Sequence, residues 1–163
     1  MLEQTTKLPL RTAMEARDHA AVVQAFAEDA VLLSPITGKL AFEGREQISA
    51  LTLVLLDVLD DLRYVDELRE RDRAVLVAAA RIGRTELQIV DHLRLDDDDR
   101  IKEMTVFFRP LPAIALALRA LGTGLARRKS PARAAAIALL ATPLVFLTRT
   151  GDGIGARLVR PTL

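Results

Sequence analysis

The chain has 163 residues, no cysteine and only two histidines, which excludes disulfides, thiolate metal sites, a cysteine nucleophile and a histidine-rich metal centre. Half of the residues are hydrophobic and 28% are charged, the balance of a folded protein with room for one domain and its core. The net charge of +1 hides a split: residues 1–109 carry 15 Lys/Arg against 21 Asp/Glu, a net −6, while residues 110–163 carry 8 against 1, a net +7.

Met1 to Leu10 has no basic stretch leading into an apolar run, so a secretory signal is not expected and a cytoplasmic location is. Residues 12–28 have helical spacing, with Asp18 as a cap or break and Val22 and Phe26 as an i, i+4 apolar pair. Pro35 and Gly38 make Val31 to Phe42 short strands around a turn. A second helix starts near Gly44, and Ile48, Leu51, Leu55, Val58 and Leu62 recur along one face. The period then changes to two. Arg63 to Glu70 is a strand, Arg71 to Arg73 a turn, and Val75 to Ile82 a small-apolar strand of the kind covered on both faces. Thr85 to Leu95 alternates, with Leu87, Ile89, Asp91, Leu93 and Leu95 on one side and mostly polar residues on the other. Asp96 to Arg100 turns the chain, and Ile101 to Arg109 is the last strand before Pro110. Two helices followed by a run of antiparallel strands predict an α+β fold, helices packed on one face of a curved sheet.

Three segments resemble the nuclear transport factor 2-like superfamily, which includes SnoaL-like and ketosteroid isomerase-like proteins. Ala25-Phe26-Ala27-Glu28-Asp29-Ala30-Val31 resembles its F-A-x-D-A helix end, and Phe42-Glu43-Gly44-Arg45-Glu46-Gln47-Ile48 resembles its G-R-E-x-I helix start. Asp91 to Asp96, with Arg100-Ile101, resembles its penultimate strand and turn, except that Asp99 stands where the family usually has glycine. The resemblance covers about residues 12–110 and implies a cone-shaped antiparallel sheet around an apolar pocket, often dimeric through the sheet. A domain over 1–110 and a helical extension over 111–163 are expected.

The resemblance does not carry a complete catalytic set. Ser34 before Pro35 occupies the position of the isomerase base, and a serine has no basicity of its own. Leu10 falls at the position of the oxyanion tyrosine and Val106 at that of the cyclase aspartate, while Arg81-Ile82-Gly83 keeps the arginine of the hydrolase pair and lacks its aspartate. Asp91 alone matches a carboxyl donor.

Asp91 also stands out without the resemblance, as the one charged residue on an apolar strand face. It is either a pocket acid or a structural carboxylate paired with a neighbour such as Arg81. Asp91 and Arg81 are the candidate catalytic residues. Phe26, Ser34, Tyr64, Ile89, Met104, Val106 and Phe108 join Asp91 as candidate ligand contacts, though a cavity lining and a packed core look alike in sequence. His92 points to the opposite face, and His19 follows a helix cap. The acids of Asp96 to Asp99 suit a solvated turn better than a cation site, and Gly151-Asp152-Gly153 lacks the context of a phosphate loop. No metal or cofactor is expected. The expected function is binding of a small apolar molecule, with or without turnover; an isomerase, cyclase or hydratase using Asp91 is the alternative.

In the extension, Leu111–Ala126 and Ala132–Thr148 predict a helical hairpin around the basic turn Arg127-Arg128-Lys129, with a loop at Gly151. Neither apolar segment reaches the ~20 residues that span a bilayer. The hairpin is expected to cover the cone, to pair with a second copy or, through residues 111–149, to meet a membrane surface. The basic residues there are not interleaved with stacking aromatics, so no nucleic acid is expected.

Overall fold

The computed structural model describes residues 7–158; residues 1–6 and 159–163, at the ends of the two expected domains, lie outside the described residues, as does most of the Met1–Leu10 stretch. Two short helices, α1 (Pro9–Glu15) and α2 (His19–Gln24), replace the single helix expected over 12–28. Arg17 at φ 56° separates them, and the Asp18 carboxylate caps α2 by accepting from the Ala21 N–H at 3.0 Å. The chain is already extended at Phe26, where β1 (Phe26–Leu33) begins, so Val22 and Phe26 are not helical neighbours. Tertiary contacts override the helical spacing there: Phe26 pairs with Ile101, and Arg45 Nε donates to the Phe26 carbonyl at 2.7 Å.

β2 (Ala41–Glu43) pairs with β1 and runs directly into α3 (Gly44–Val58). Gly44 makes that junction at φ 74°, a conformation that side chains rarely adopt, which explains the glycine of the G-R-E start. The guanidinium of Arg17 reaches the other end of α3 and donates to the Leu56 carbonyl and, at 3.0 Å, to that of Leu59. Leu62, the last of the apolar series, lies on β3 and not on the helix.

The remaining strands are β3 (Asp60–Glu70), β4 (Arg73–Ile82), β5 (Thr85–Leu95) and β6 (Ile101–Arg109). They form one six-stranded sheet in the order β2-β1-β6-β5-β4-β3. Every neighbouring pair is antiparallel except β1 and β6, which run parallel, so the sheet departs from the all-antiparallel expectation at that one seam. In the β5–β6 turn Asp99 takes φ 60°, the conformation its place at the family glycine implies. Backbone N–H groups and Arg100 surround the Asp96 carboxylate and hold it below the usual carboxylate range.

The inner face of the sheet carries the core. Leu76, Leu87, Leu93 and Ile48 on α3 are all but fully buried. The outer face is less covered than expected: Val75, Val77 and Ala79 on β4 are only half-buried, because no described element packs over them.

After Pro110 the chain forms α4 (Leu111–Arg127) and α5 (Pro131–Leu158). α4 packs on α3 and on the ends of β4, β5 and β6. Gly124 lies so close to Val54 that an added Cβ would overlap its side chain. On the other side of α4, a Cβ at Gly122 would meet Ile137 of α5 at 3.1 Å. The small residues of α4 therefore set two close helix–helix approaches. α5 does not stop at Thr148; it continues through Gly151-Asp152-Gly153, where a loop was expected, to Leu158. At 28 residues it is long and apolar enough to cross a membrane by overall length and composition alone, unlike the shorter segment drawn from the sequence, although Arg133, Arg149 and Asp152 lie within it.

Candidate functional site

The alternation of β5 turns Ile89, Asp91 and Leu93 inward. Pairing registers then bring Asp91 between Leu76 of β4 and Val106 of β6, with Ile89 beside Phe108 in the next row. Tyr64 reaches the same face from β3, opposite Ala78. Its backbone is fixed by α1: the Tyr64 N–H donates to Glu15 at 2.9 Å, and Arg11 donates to the Tyr64 carbonyl at 3.1 Å.

These side chains enclose a cavity of about 140 Å³ inside the cone. Phe26, Ser34, Tyr64, Ile89, Asp91, Met104, Val106 and Phe108 all line it, so each expected ligand contact is brought to one place. Leu10 lines it too, the residue standing where the resemblance implies an oxyanion tyrosine. The outer rim is the loop from Ser34 to Leu40, and the facing wall is α4. That wall was missed in the sequence. Leu118, Leu121, Gly122 and Leu125 of α4 line the cavity at i, i+3, i+4 and i+7, a helical stripe whose partner only the fold reveals. Leu51 and Leu55 of α3 add to the apolar walls.

Asp91 is 2% exposed, and its Oδ1 has no hydrogen-bond partner among the described residues. Burial pushes its carboxyl up to about 7. Near neutral pH the group is thus shared between a neutral hydrogen-bond donor and a carboxylate. Burial also raises the Tyr64 phenol well above its ordinary value, and a charged Asp91 raises it further. Tyr64 and Asp91 are the titratable groups on the cavity wall among the described residues.

Arg81 does not belong to this site. It is separated from Leu76, the β4 residue facing Asp91, by an odd number of positions, and it lies on the exposed side of the strand, where it pairs with Asp61. The alternative of an Arg81–Asp91 pair falls with it. His92 is half-buried on the outer face, between Val75 and Thr105. His19 Nε2 lies 3.1 Å from the Ser49 carbonyl and ties α2 to α3. Ser34 accepts from the Ile36 N–H at 3.2 Å, a turn contact that leaves it without a base.

The wall offers a small apolar guest two titratable polar groups, the Asp91 carboxyl and the Tyr64 phenol, among mostly apolar side chains. A neutral Asp91 can donate to a carbonyl or hydroxyl oxygen, and an ionised one can accept a proton.

No protein-family model matches the chain, and no curated protein matches its sequence. Solved structures do match. A steroid delta-isomerase from Pseudomonas aeruginosa is 30% identical over 73% of this chain and 85% of that one, with a TM-score of 0.62. An uncharacterized bacterial protein with a cystatin-like fold from Silicibacter pomeroyi is 21% identical over 77% and 86%, with a TM-score of 0.66. A nuclear transport factor 2-like protein of unknown function from Burkholderia xenovorans is 16% identical over 61% and 77%, with a TM-score of 0.56.

Proposed function

The chain belongs to the nuclear transport factor 2-like superfamily, and from that premise we propose that it binds a small, mostly apolar molecule with one carbonyl or hydroxyl oxygen held by Asp91. The observation that carries this reading is the buried Asp91 Oδ1, without a hydrogen-bond partner among the described residues, on the wall of a mostly apolar cavity. A buried polar atom without a partner costs about 1–3 kcal/mol, and a ligand oxygen that satisfies it recovers that energy.

Size narrows the ligand class. An engineered cavity of roughly 150 Å³ takes benzene, so a cavity of about 140 Å³ suits one six-membered ring or a short branched chain. Four fused rings, as in a steroid, need α4 to move outward. Cyclohex-2-enone is a matched probe. Calorimetry at pH 6 is expected to give heat of binding with the parent, at least tenfold weaker binding with Asp91→Leu, and weaker binding of methylcyclohexane to the parent. Equal affinity of parent and variant for the enone would remove Asp91 from the site.

A second reading, an acid–base enzyme, is favoured by the raised Asp91 carboxyl. A group near 7 can take a proton from the carbon beside a carbonyl and return it to another carbon, with Tyr64 as the candidate donor to the oxygen. Proton exchange of cyclohex-2-enone in D2O, followed by NMR, tests it: exchange above the buffer rate that vanishes in Asp91→Asn supports turnover, and no acceleration leaves binding alone. We also propose a homodimer through the outer face of the sheet, where Val75, Val77 and Val90 surround His92 and Phe107 is 56% exposed.

A further inference from the structure

α5 is apolar around nearly its whole circumference but buries a single stripe. Ala134, Ala141, Val145 and Thr148 turn inward, and the substantial packing of the helix is against α4. Leu139, Leu140, Leu144, Phe146 and Leu147 face outward and are 41% to 78% exposed. A helix with apolar residues on all sides is ordinarily buried on all sides, in a core or in lipid.

The charge around this face selects what covers it. No Asp or Glu occurs between Glu103 and Asp152. Arg133 and Arg149 bracket the charge-free stretch 134–148, and the exposed Arg127 at the end of α4 with Arg128 and Lys129 of the turn precedes α5. A second α5 packed antiparallel on this face would set Arg133 of each copy against Arg149 of the other, with Asp152 as the one carboxylate near five cations. An anionic lipid surface offers both parts of the match, acyl chains for the leucines and phosphates for the cations.

We propose that α5 docks in the plane of an anionic membrane surface, with Leu140 and Phe146 in the acyl boundary and the flanking arginines at the headgroups. The in-plane pose follows from length and packing. The charge-free stretch of 15 residues is about 22 Å long, short of the roughly 30 Å hydrocarbon core. A spanning pose would bury Arg133 at one end or Arg149 and Asp152 at the other and strip α5 from α4, whereas the in-plane pose keeps the α4 contact. α4 is also the cavity wall, so the docked hairpin places the cone and its cavity next to the bilayer.

Flotation of the full chain with vesicles tests this, using phosphatidylcholine alone and phosphatidylcholine mixed with phosphatidylglycerol. The parent is expected to float with the mixed vesicles and much less with phosphatidylcholine. Leu140→Glu combined with Phe146→Glu is expected to lower partitioning on the order of a hundredfold. Arg128→Gln with Lys129→Gln is expected to lower it roughly tenfold. Both pairs change exposed positions, so circular dichroism melts should match the parent. A parent that floats with neither vesicle overturns the proposal, as does a Glu double variant that floats like the parent. A dimer by light scattering that the Glu pair dissociates, without flotation, assigns the face to a second copy instead. Resistance of the bound parent to alkaline carbonate would overturn the in-plane pose.

Discussion

Replacing Asp91 with asparagine should flatten the dependence of stability on pH. The Asp91 carboxyl is pushed up to about 7 in the folded protein, against about 3.9 in an unfolded chain. Below pH 4 both states hold the proton, and this group contributes no pH dependence. Between pH 4 and 7 the unfolded chain releases the proton while the folded protein keeps it, so stability falls as pH rises. Above 7 both states are ionised and the effect levels off. From pH 5 to 8 this amounts to a loss of about 3 kcal/mol. At about 2–4 °C per kcal/mol, the midpoint should drop by roughly 6–12 °C. Tyr64 titrates well above this window and does not blur it. The substituted side chain is still a buried amide, which shifts the level of the curve but not its slope. Thermal melts of parent and Asp91→Asn at half-unit steps of pH are the assay. Parallel curves for the two proteins would show that Asp91 is not a buried acid of this kind, and the site argument would fail with it.

Val106→Phe adds bulk beside Asp91, so binding of cyclohex-2-enone should weaken more than tenfold while the melting midpoint moves by only a few degrees; calorimetry and melts read the two together. Gly124→Ala drives a methyl into Val54 and should destabilise by about 1–3 kcal/mol despite the better helix propensity of alanine, and Val54→Ala in the same chain should recover most of that loss in urea titrations. Phe107→Glu should turn a dimer into a monomer by light scattering while leaving enone binding intact, because Phe107 lies on the face away from the cavity.

The site was more legible in the sequence than the path of the chain around it. Strand alternation alone put Asp91, Ile89 and Leu93 on one side of β5, and a charge on that side marks a cavity or a buried pair. Arg81 was not legible in this way, because β4 is apolar at every position from Ala74 to Ala80; the pairing of Leu76 with Asp91 makes Leu76, Ala78 and Ala80 the inward residues and turns Arg81 outward. Phe26 was misplaced on a helix because Val22 and Phe26 satisfy helical spacing. What makes Phe26 a strand residue is distant in sequence: the pairing with Ile101 and the bond from Arg45. The α4 wall was hidden for a related reason. Leu118, Leu121 and Leu125 form an apolar stripe, but a stripe does not say which cavity it faces. The extension of α5 past Gly151 went against glycine's poor helix propensity. No proline or cap ends the helix there, and an established helix adds a hydrogen bond with each residue.

The Asp91 carboxyl, by its protonation in the cavity, decides what the protein can hold there. Carbon-13 NMR of the Asp91 side chain, titrated from pH 4 to 9 with Asp91→Asn as the assignment control, measures it directly. The prediction is a midpoint near 7 in the free protein, moving higher with cyclohex-2-enone bound, because the ketone accepts from the neutral acid. A midpoint near 4, unmoved by the enone, would contradict it.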